Sequence, residues 1–405
     1  MRVGRYWIIK PYEAFGNRAE ELYFALLKCR RDGLRLIILK WKWDLFGRVR
    51  FRSANKALLN ITHPSVVDHP ALEIVNYLMT IVLSVSRIIG IALRRCRSLL
   101  GFQPKNNWLV ELSDKVIGQA GLWGEVRVPF DAKNLLVDWE RELDEKVNAQ
   151  YRSRGGLERD FPVLTGKKYV CLHVRTGGFF KDHEYSAPRN ANIDNYIPAI
   201  RELMGRGYVV VRLGDPAMPP IVMEGVLDYA HSRARSEQND VLLIEHSEFF
   251  IGSLSGPIDT ACLFEKRILT VNCLSMAHCT WYRRGSLFIP KKAVLRNRAL
   301  TLKEQIDLHL FEICGTGQMV EGVEYRENSA DEILGAVKEF LLSPDPGEEQ
   351  AAFNRYLREK MLEYFHATRV WDKAEDDASQ KTRWASRILA AKGSVCAGYL
   401  KDNWQ

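Results

Sequence analysis

Short apolar runs and longer stretches with helical spacing alternate along this chain. The runs at residues 6–9, 34–39, 169–174 and 208–212 are nearly uninterrupted, as in strands that are buried on both faces of a sheet. Residues 18–33, between the first two runs, place apolar side chains three and four positions apart, which predicts an amphipathic helix. Because a strand–helix–strand order implies parallel strands, the predicted fold class is α/β.

The same reasoning predicts further elements beyond residue 192. They are helices over 193–204, 257–266 and 329–342 and short strands over 241–244, 249–251 and 268–271. Ser329 and Glu332 stand three residues apart at the start of one helix, an arrangement that is typical of a capping box. The chain after residue 346 is polar with helical spacing, and we expect a helical tail there.

The segment 151–167 separates two stretches of α/β pattern and has the glycine, proline and charge content of a linker. We therefore predict an amino-terminal α/β domain over 1–160, a second α/β domain over 161–345 and a tail over 346–405 that packs back on the domains. Ligands of open parallel sheets bind at the carboxyl ends of the strands, so we expect the site in a cleft between the domains.

The net charge of +8 is placed unevenly along the 405 residues. Residues 1–110 hold 19 Lys and Arg against 7 Asp and Glu, which indicates an anionic partner or a solvated basic surface. The apolar segment 74–93 is long enough to span a membrane, but it contains Arg87 and is followed by more arginines. We expect a helix over 72–98 that is buried or lies on an anionic membrane surface.

Eight cysteines are dispersed along the chain without a CxxC pair, and the first residues do not resemble a signal peptide. The sequence therefore predicts a cytoplasmic protein without disulfides or a structural metal. A peripheral position on the inner face of the cytoplasmic membrane is a further expectation, because of the basic apolar segment.

Candidate chemistry begins where the predicted strand 169–174 ends. Arg175 follows that strand directly, and Gly177 and Gly178 come next. An arginine presents two parallel hydrogen bonds to a phosphate, and glycine lets a ligand approach the backbone closely. The alternative interpretation is that Arg175 pairs with Asp182 and that the glycines only turn the chain.

A second candidate loop follows the strand 249–251. Ser253, Ser255 and Gly256 lie in it, and Pro257 opens the next helix. Free N–H groups, hydroxyls and the positive end of a helix make an anion site, although an ordinary helix cap looks the same.

Arg212 and Gly214 stand at a third strand end. Arg212 either contributes to the ligand pocket or forms a structural ion pair, and both interpretations stay open.

The amino-terminal part holds further candidates. We expect Gly16 and Asn17 in a tight turn before a helix there. Glu13 is a candidate general base on the acceptor side, and His63, Asp68 and His69 are its rivals, each of which a solvated loop explains better than catalysis.

The motifs at these three strand ends resemble a known family. HVR at 173–175, VVVRLGD at 209–215 and FFIGSLSGP at 249–257 are similar to the donor domain of GT-B glycosyltransferases of the fucosyltransferase kind. Longer stretches over 10–40 and 165–345 resemble a bacterial group of glycosyltransferases found with surface-polysaccharide genes.

This resemblance implies two Rossmann-like α/β domains that face a central cleft, followed by the helical tail. It implies that Arg175 binds the donor diphosphate, that His173 shapes the pocket, and that Ser253, Ser255 and Gly256 hold phosphate or ribose. It also places Gly16 and Asn17 at the cleft edge. Those fucosyltransferases often have an acidic residue soon after HxR, whereas the first one here is Asp182.

The predicted function is metal-independent transfer of a sugar from a nucleotide-diphosphate donor to an acceptor hydroxyl. The acceptor would be a bacterial glycan, a lipid-linked intermediate or a small metabolite, and we expect no cofactor. The alternatives are a sugar-nucleotide epimerase or phosphorylase and a non-catalytic protein that binds an anionic metabolite. Nucleic-acid binding ranks last, because the sequence contains no recognisable module for it.

Overall fold

The computed structural model describes residues 2–9, 15–38, 56–67, 69, 71–72, 74, 148–151, 156–177, 187–279, 284–312, 319–342, 345–367 and 392–404. The chain divides into two compact units, Met1–Pro129 and Phe130–Gln405. The finer division at residues 160 and 345 stays a prediction.

The described part of the first unit is a small α/β arrangement. Its elements are β1 (Arg2–Val3), β2 (Tyr6–Ile9), α1 (Phe15–Arg31), β3 (Arg35–Ile38) and β4 (Ile61–Thr62). Strand β2 pairs in parallel with β3 and antiparallel with β1, so the predicted strand–helix–strand order is confirmed. Helix α1 packs its apolar stripe inward, with Leu22 and Leu26 fully buried.

Helix α1 begins earlier than its sequence pattern predicts. We expected Gly16 and Asn17 in a turn before the helix, but the helix begins at Phe15 and includes both. The first-turn N–H groups have no intrahelical partner in any helix, so weak helix formers are tolerated there.

The second unit contains most of the strands. They are β5 (Gln150–Tyr151), β6 (Tyr169–His173), β7 (Val209–Arg212), β8 (Val226–Leu227), β9 (Phe249–Gly252), β10 (Arg267–Cys273), β11 (Leu287–Pro290), β12 (Lys292–Leu295), β13 (Arg298–Ala299), β14 (Val323–Arg326) and β15 (Ser394–Val395). Seven of them form one sheet in the order β15-β11-β10-β9-β6-β7-β8. Every neighbouring pair in that sheet is parallel. The predicted α/β fold class is confirmed.

Helices and a small antiparallel sheet complete this unit. The helices are α2 (Leu157–Asp160), α3 (Ile197–Gly205), α4 (Glu237–His246), α5 (Gly256–Leu263), α6 (Met276–Cys279), α7 (Leu302–Asp307), α8 (Ala330–Leu342), α9 (Glu348–Ala367) and α10 (Ala397–Asn403). Strand β12 pairs antiparallel with β13 and β14 in the small sheet, which the sequence pattern did not predict.

The large sheet is the centre of one apolar core. All residues of β6, β7, β9 and β11 are buried, as expected for parallel strands that are covered on both faces. The tail joins this core, because Phe353 and Met361 of α9 and Tyr399 of α10 are buried in it. Strand β15 extends the sheet at its edge beside β11.

The prediction of a strand over 241–244 is wrong. These residues are the buried centre of helix α4, whose N-cap is Ser236. The Ser236 hydroxyl accepts a hydrogen bond from the Asn239 N–H at 3.1 Å. Four consecutive apolar residues fit a buried helix as well as a strand, and the cap upstream was the distinguishing signal.

The predicted capping box at the start of α8 is confirmed. The Ser329 N–H donates to Glu332 Oε2 at 2.8 Å, and the Glu332 N–H donates to Ser329 Oγ at 3.2 Å. Each side chain therefore satisfies a backbone donor that the helix cannot.

Candidate active site

The ends of β6 and β9 approach each other closely at the carboxyl edge of the large sheet. His173, the last residue of β6, lies opposite Gly252, the last residue of β9. The His173 carbonyl accepts a hydrogen bond from the Ser253 N–H at 3.1 Å. A Cβ at position 252 would lie 2.6 Å from the His173 oxygen, so this approach requires glycine.

Side-chain hydrogen bonds join the two loops that follow these strands. The Arg175 N–H donates to Ser253 Oγ at 2.9 Å. Ser255 Oγ lies 2.9 Å from His173 Nδ1 and donates to the Ser253 carbonyl at 3.0 Å. We call His173, Arg175, Ser253 and Ser255 the strand-end cluster. The two candidate anion loops of the sequence thus lie at one place.

Three residues of the strand-end cluster are buried. Ser253 is fully buried, and His173 and Arg175 are each 8% exposed. Burial, followed by the positive charges of Arg175 and Arg212, lowers the pKa of His173 from 6.5 to about 3. The imidazole is therefore neutral at physiological pH.

The two contacts of the Ser255 hydroxyl bear on the proton of that neutral ring. A serine hydroxyl has one hydrogen, and the Ser253 carbonyl can only accept it. The tautomer that makes both contacts hydrogen bonds has the proton on His173 Nδ1 and leaves Nε2 as an acceptor. Within the described residues, the ring makes its side-chain hydrogen bond through Nδ1.

Helix α5 begins at this cluster. Ser255 is its N-cap residue, but the hydroxyl makes no capping hydrogen bond because it is engaged by His173 and the Ser253 carbonyl.

In the first turn Pro257 has no N–H, and the Ile258 N–H donates to the Ser255 carbonyl at 3.1 Å. The Gly256 N–H is therefore the backbone donor of that turn that lies beside the partial positive charge of the helix end. The helix end and the cation of Arg175 favour an anion, and Asp259 in the same first turn offsets part of that positive charge.

Arg212 forms an ion pair, which is one of the two roles that its sequence position left open. Its side chain is 1% exposed, and Nη1 lies 3.1 Å from Asp228 Oδ1 and donates to the Pro219 carbonyl at 2.8 Å. Gly214 lies just beyond, where its carbonyl accepts a hydrogen bond from Arg235 Nε at 3.2 Å. A contact of either residue with a ligand stays a prediction.

The remaining candidate residues are placed as follows. Gly177 is buried in the turn after Arg175, and Gly256 and Pro257 open α5. In the first unit, Gly16 lies in α1 with Asn17, and His63 Nδ1 accepts a hydrogen bond from the Ser65 N–H at 3.0 Å.

Several candidate positions lie outside the described residues. They are Glu13, Asp68, Gly178, Asp182 and nearly all of the segment 72–98.

Lys291 is a candidate that the sequence reasoning missed. It follows the apolar strand β11 directly, as Arg175 follows shortly after β6, and it is buried at the same edge of the sheet. A cation immediately after an apolar run was the signal that could have identified it.

Metal-binding groups and membrane-spanning helices are both absent from the described part of the chain. Among those residues, no three His, Cys, Asp or Glu side chains come together in a group that could hold a metal ion. No described helix is both long and apolar enough to cross a bilayer.

Among proteins of known structure, the chain is similar to several glycosyltransferases at low identity. No protein-family model matches it, and no curated protein matches it. Solved structures that are similar include the iron-containing dodecameric heptosyltransferase TibC in complex with ADP-D-β-D-heptose, with a TM-score of 0.31 and 12% sequence identity. The similarity covers 69% of this chain, which spans 61% of the TibC chain.

Two more solved glycosyltransferase structures are similar to this chain at low identity. TibC from enterotoxigenic E. coli H10407 has a TM-score of 0.29 and 12% identity, over 66% of this chain and 58% of that one. The ADP-heptose lipopolysaccharide heptosyltransferase II of E. coli has a TM-score of 0.30 and 15% identity, over 65% of this chain and 83% of that one.

Proposed function

We propose that this chain is a GT-B glycosyltransferase that transfers a sugar from a nucleotide-diphosphate donor to an acceptor hydroxyl. The observation that carries the proposal is the strand-end cluster. It combines a buried arginine, a neutral histidine, two serine hydroxyls and a helix N-terminus at the carboxyl edge of a parallel sheet, where α/β proteins bind their ligands.

The reaction needs stabilisation of negative charge on the leaving diphosphate. As the bond between the sugar and the diphosphate breaks, charge accumulates on the diphosphate oxygens, and fixed donors aimed at them lower the barrier. Arg175 supplies a bidentate cation, and the first turn of α5 supplies the Gly256 N–H and a positive partial charge. Since these groups compensate the charge, we propose that transfer proceeds without a metal or cofactor.

His173 acts in this scheme as a hydrogen-bonding residue rather than as a base. A pKa of about 3 makes the ring a weak proton acceptor, although Nε2 can still accept a hydrogen bond from a hydroxyl of the ribose or the sugar. The base for the acceptor hydroxyl would come from the amino-terminal unit, where Glu13 is our candidate.

The test is turnover of a panel of ADP-, GDP- and UDP-linked sugars, with release of the nucleoside diphosphate as the readout. Arg175→Ala should lower turnover of an accepted donor by about 100-fold or more, the usual effect of losing one charge-stabilising group. Arg206→Ala is the matched control, because Arg206 lies at the end of α3 with a side chain 41% exposed and pairs with Glu202. Full turnover by Arg175→Ala, or nucleotide binding without release for every donor, would contradict the proposal.

The acceptor proposed is a glycan or a lipid-linked intermediate of a bacterial envelope polymer, with a small metabolite as the alternative. The basic excess of residues 1–110 and the apolar segment 74–93 support a peripheral position on an anionic membrane of the cytoplasm. In liposome flotation, wild-type protein should float with anionic vesicles. A variant with Arg87, Arg94, Arg95 and Arg97 neutralised should remain in the dense fraction.

A further inference from the structure

Lys291 lies on the same edge of the large sheet as the strand-end cluster. It is the first residue after β11, and its N–H donates to the Cys273 carbonyl at the end of β10 at 2.9 Å. The residue is only 4% exposed. A lysine is rarely buried to this degree unless its charge is paired.

The ammonium of Lys291 has a neutral partner instead of an ion pair. Nζ donates to the Asn190 carbonyl at 2.7 Å, and no carboxylate of the described residues lies within ion-pair distance of it. Glu327 favours the charged form of Lys291 by a longer-range Coulombic interaction, and its carboxylate also accepts the Asn192 N–H at 2.8 Å. Burial lowers the pKa of Lys291 below its usual value.

Lys292, the next residue along the chain, forms the ion pair that Lys291 lacks among the described residues. Lys292 is partly exposed, and its Nζ lies 2.6 Å from Glu332 Oε1. A desolvated ammonium without such a carboxylate costs several kcal/mol, and a bound anion would offset that cost. The chain therefore keeps a buried cation that forms no ion pair with a described carboxylate and that Glu327 offsets only at longer range.

One peptide unit connects Lys291 to the strand-end cluster. The Asn190 carbonyl accepts from Lys291 Nζ, and the Ala191 N–H of the same peptide donates to the Arg175 carbonyl at 3.1 Å. Peptide dimensions then place the ammonium within about 8 Å of the Arg175 main chain. The two residues are therefore close enough for one ligand with two anionic groups to bridge them.

We propose that Lys291 is the second cation of the nucleotide-diphosphate site and binds the phosphoryl group that Arg175 does not hold. The inference rests on the proposed function, and it makes the diphosphate, rather than a monophosphate, the recognised group. The competing explanation is that Lys291 only stabilises the segment before Ala191, through its hydrogen bond to the Asn190 carbonyl.

Titration calorimetry in magnesium-free buffer at pH 7.5 tests this, with inorganic pyrophosphate and orthophosphate as probes. Loss of one charged hydrogen bond corresponds to about 10- to 100-fold in affinity. Lys291→Met should weaken pyrophosphate binding by that factor and orthophosphate binding much less. Lys291→Arg should retain most of the pyrophosphate affinity, and Lys292→Met should bind both probes as the wild type does.

Urea unfolding without ligand separates the two explanations. Removal of a buried cation that has no ion pair in the described part of the chain should leave Lys291→Met at least as stable as the wild type, whereas removal of a stabilising hydrogen bond would destabilise it. A destabilised or unfolded Lys291→Met, a wild type that does not bind pyrophosphate, or equal pyrophosphate affinity in both proteins would overturn the inference.

The outcomes also separate this inference from the proposed function. Pyrophosphate binding that depends on Arg175 but not on Lys291 would overturn the inference and leave the glycosyltransferase proposal intact. Binding that depends on Lys291, in a protein that turns over no nucleotide-sugar, would support the inference and contradict the glycosyltransferase proposal.

Discussion

Acid should destabilise this protein through His173, because the folded chain holds that imidazole in its neutral form. In the unfolded chain the ring has its ordinary pKa near 6.5. In the folded chain, burial and the charges of Arg175 and Arg212 lower that pKa to about 3. The unfolded state therefore binds a proton at pH values where the folded state does not.

The sign and size of the effect follow from this difference. Above pH 6.5 both states carry a neutral ring, and His173 makes stability independent of pH. Between pH 6.5 and about 3 the unfolded state binds the extra proton, so the free energy of unfolding falls by about 1.4 kcal/mol per pH unit. From pH 7.5 to pH 5.0 the loss due to His173 is about 2 kcal/mol.

Urea unfolding at pH 7.5, 6.0 and 5.0 measures this contribution. Other groups titrate in the same range, so the informative quantity is the difference in pH dependence between proteins. His173→Gln should lose about 2 kcal/mol less than the wild type between pH 7.5 and 5.0. His246→Gln removes a histidine whose side chain is 47% exposed and serves as the control. Parallel pH dependences for wild type and His173→Gln would refute the reasoning.

Three further substitutions test the contacts that build the sheet and its edge. Gly252→Ala places a Cβ 2.6 Å from the facing backbone carbonyl, and it should cost about 1–3 kcal/mol of unfolding free energy measured in urea. Asp228→Ala leaves the buried Arg212 guanidinium without its carboxylate, and we expect a loss of about 3 kcal/mol or more. Ser236→Ala removes the N-cap hydrogen bond of α4 and should cost about 1 kcal/mol by the same measurement.

Matched controls accompany these variants. Gly335→Ala lies inside α8, where an added Cβ meets nothing within 4 Å, and it should stabilise by about 0.5–1 kcal/mol. Asp402→Ala removes an exposed carboxylate and should leave stability unchanged within about 0.5 kcal/mol. If Gly252→Ala behaved like Gly335→Ala, or Asp228→Ala like Asp402→Ala, the corresponding contact would not contribute as we describe.

The sequence alone predicted the elements whose signal is local. Strands β6 and β7 are continuous apolar runs, and the capping box at Ser329 needs only two residues three positions apart. Arg175 and the loop at Ser253–Gly256 could be singled out in the same way, because cations, serines and glycines directly after an apolar run are visible along the chain. Local patterns failed at residues 241–244, where four apolar residues fit a strand and a buried helix equally well.

The tertiary structure decided which of these residues meet. Ser255 contacts His173 from 82 positions away because β9 is the direct neighbour of β6, and no periodicity states the order of strands in a sheet. The same holds for Arg212, whose partner Asp228 follows a different strand, and for Lys291, whose ammonium donates to the distant Asn190 carbonyl. Apolar spacing determines which segments enter the core, whereas the partners of buried polar groups are set by how the whole sheet packs.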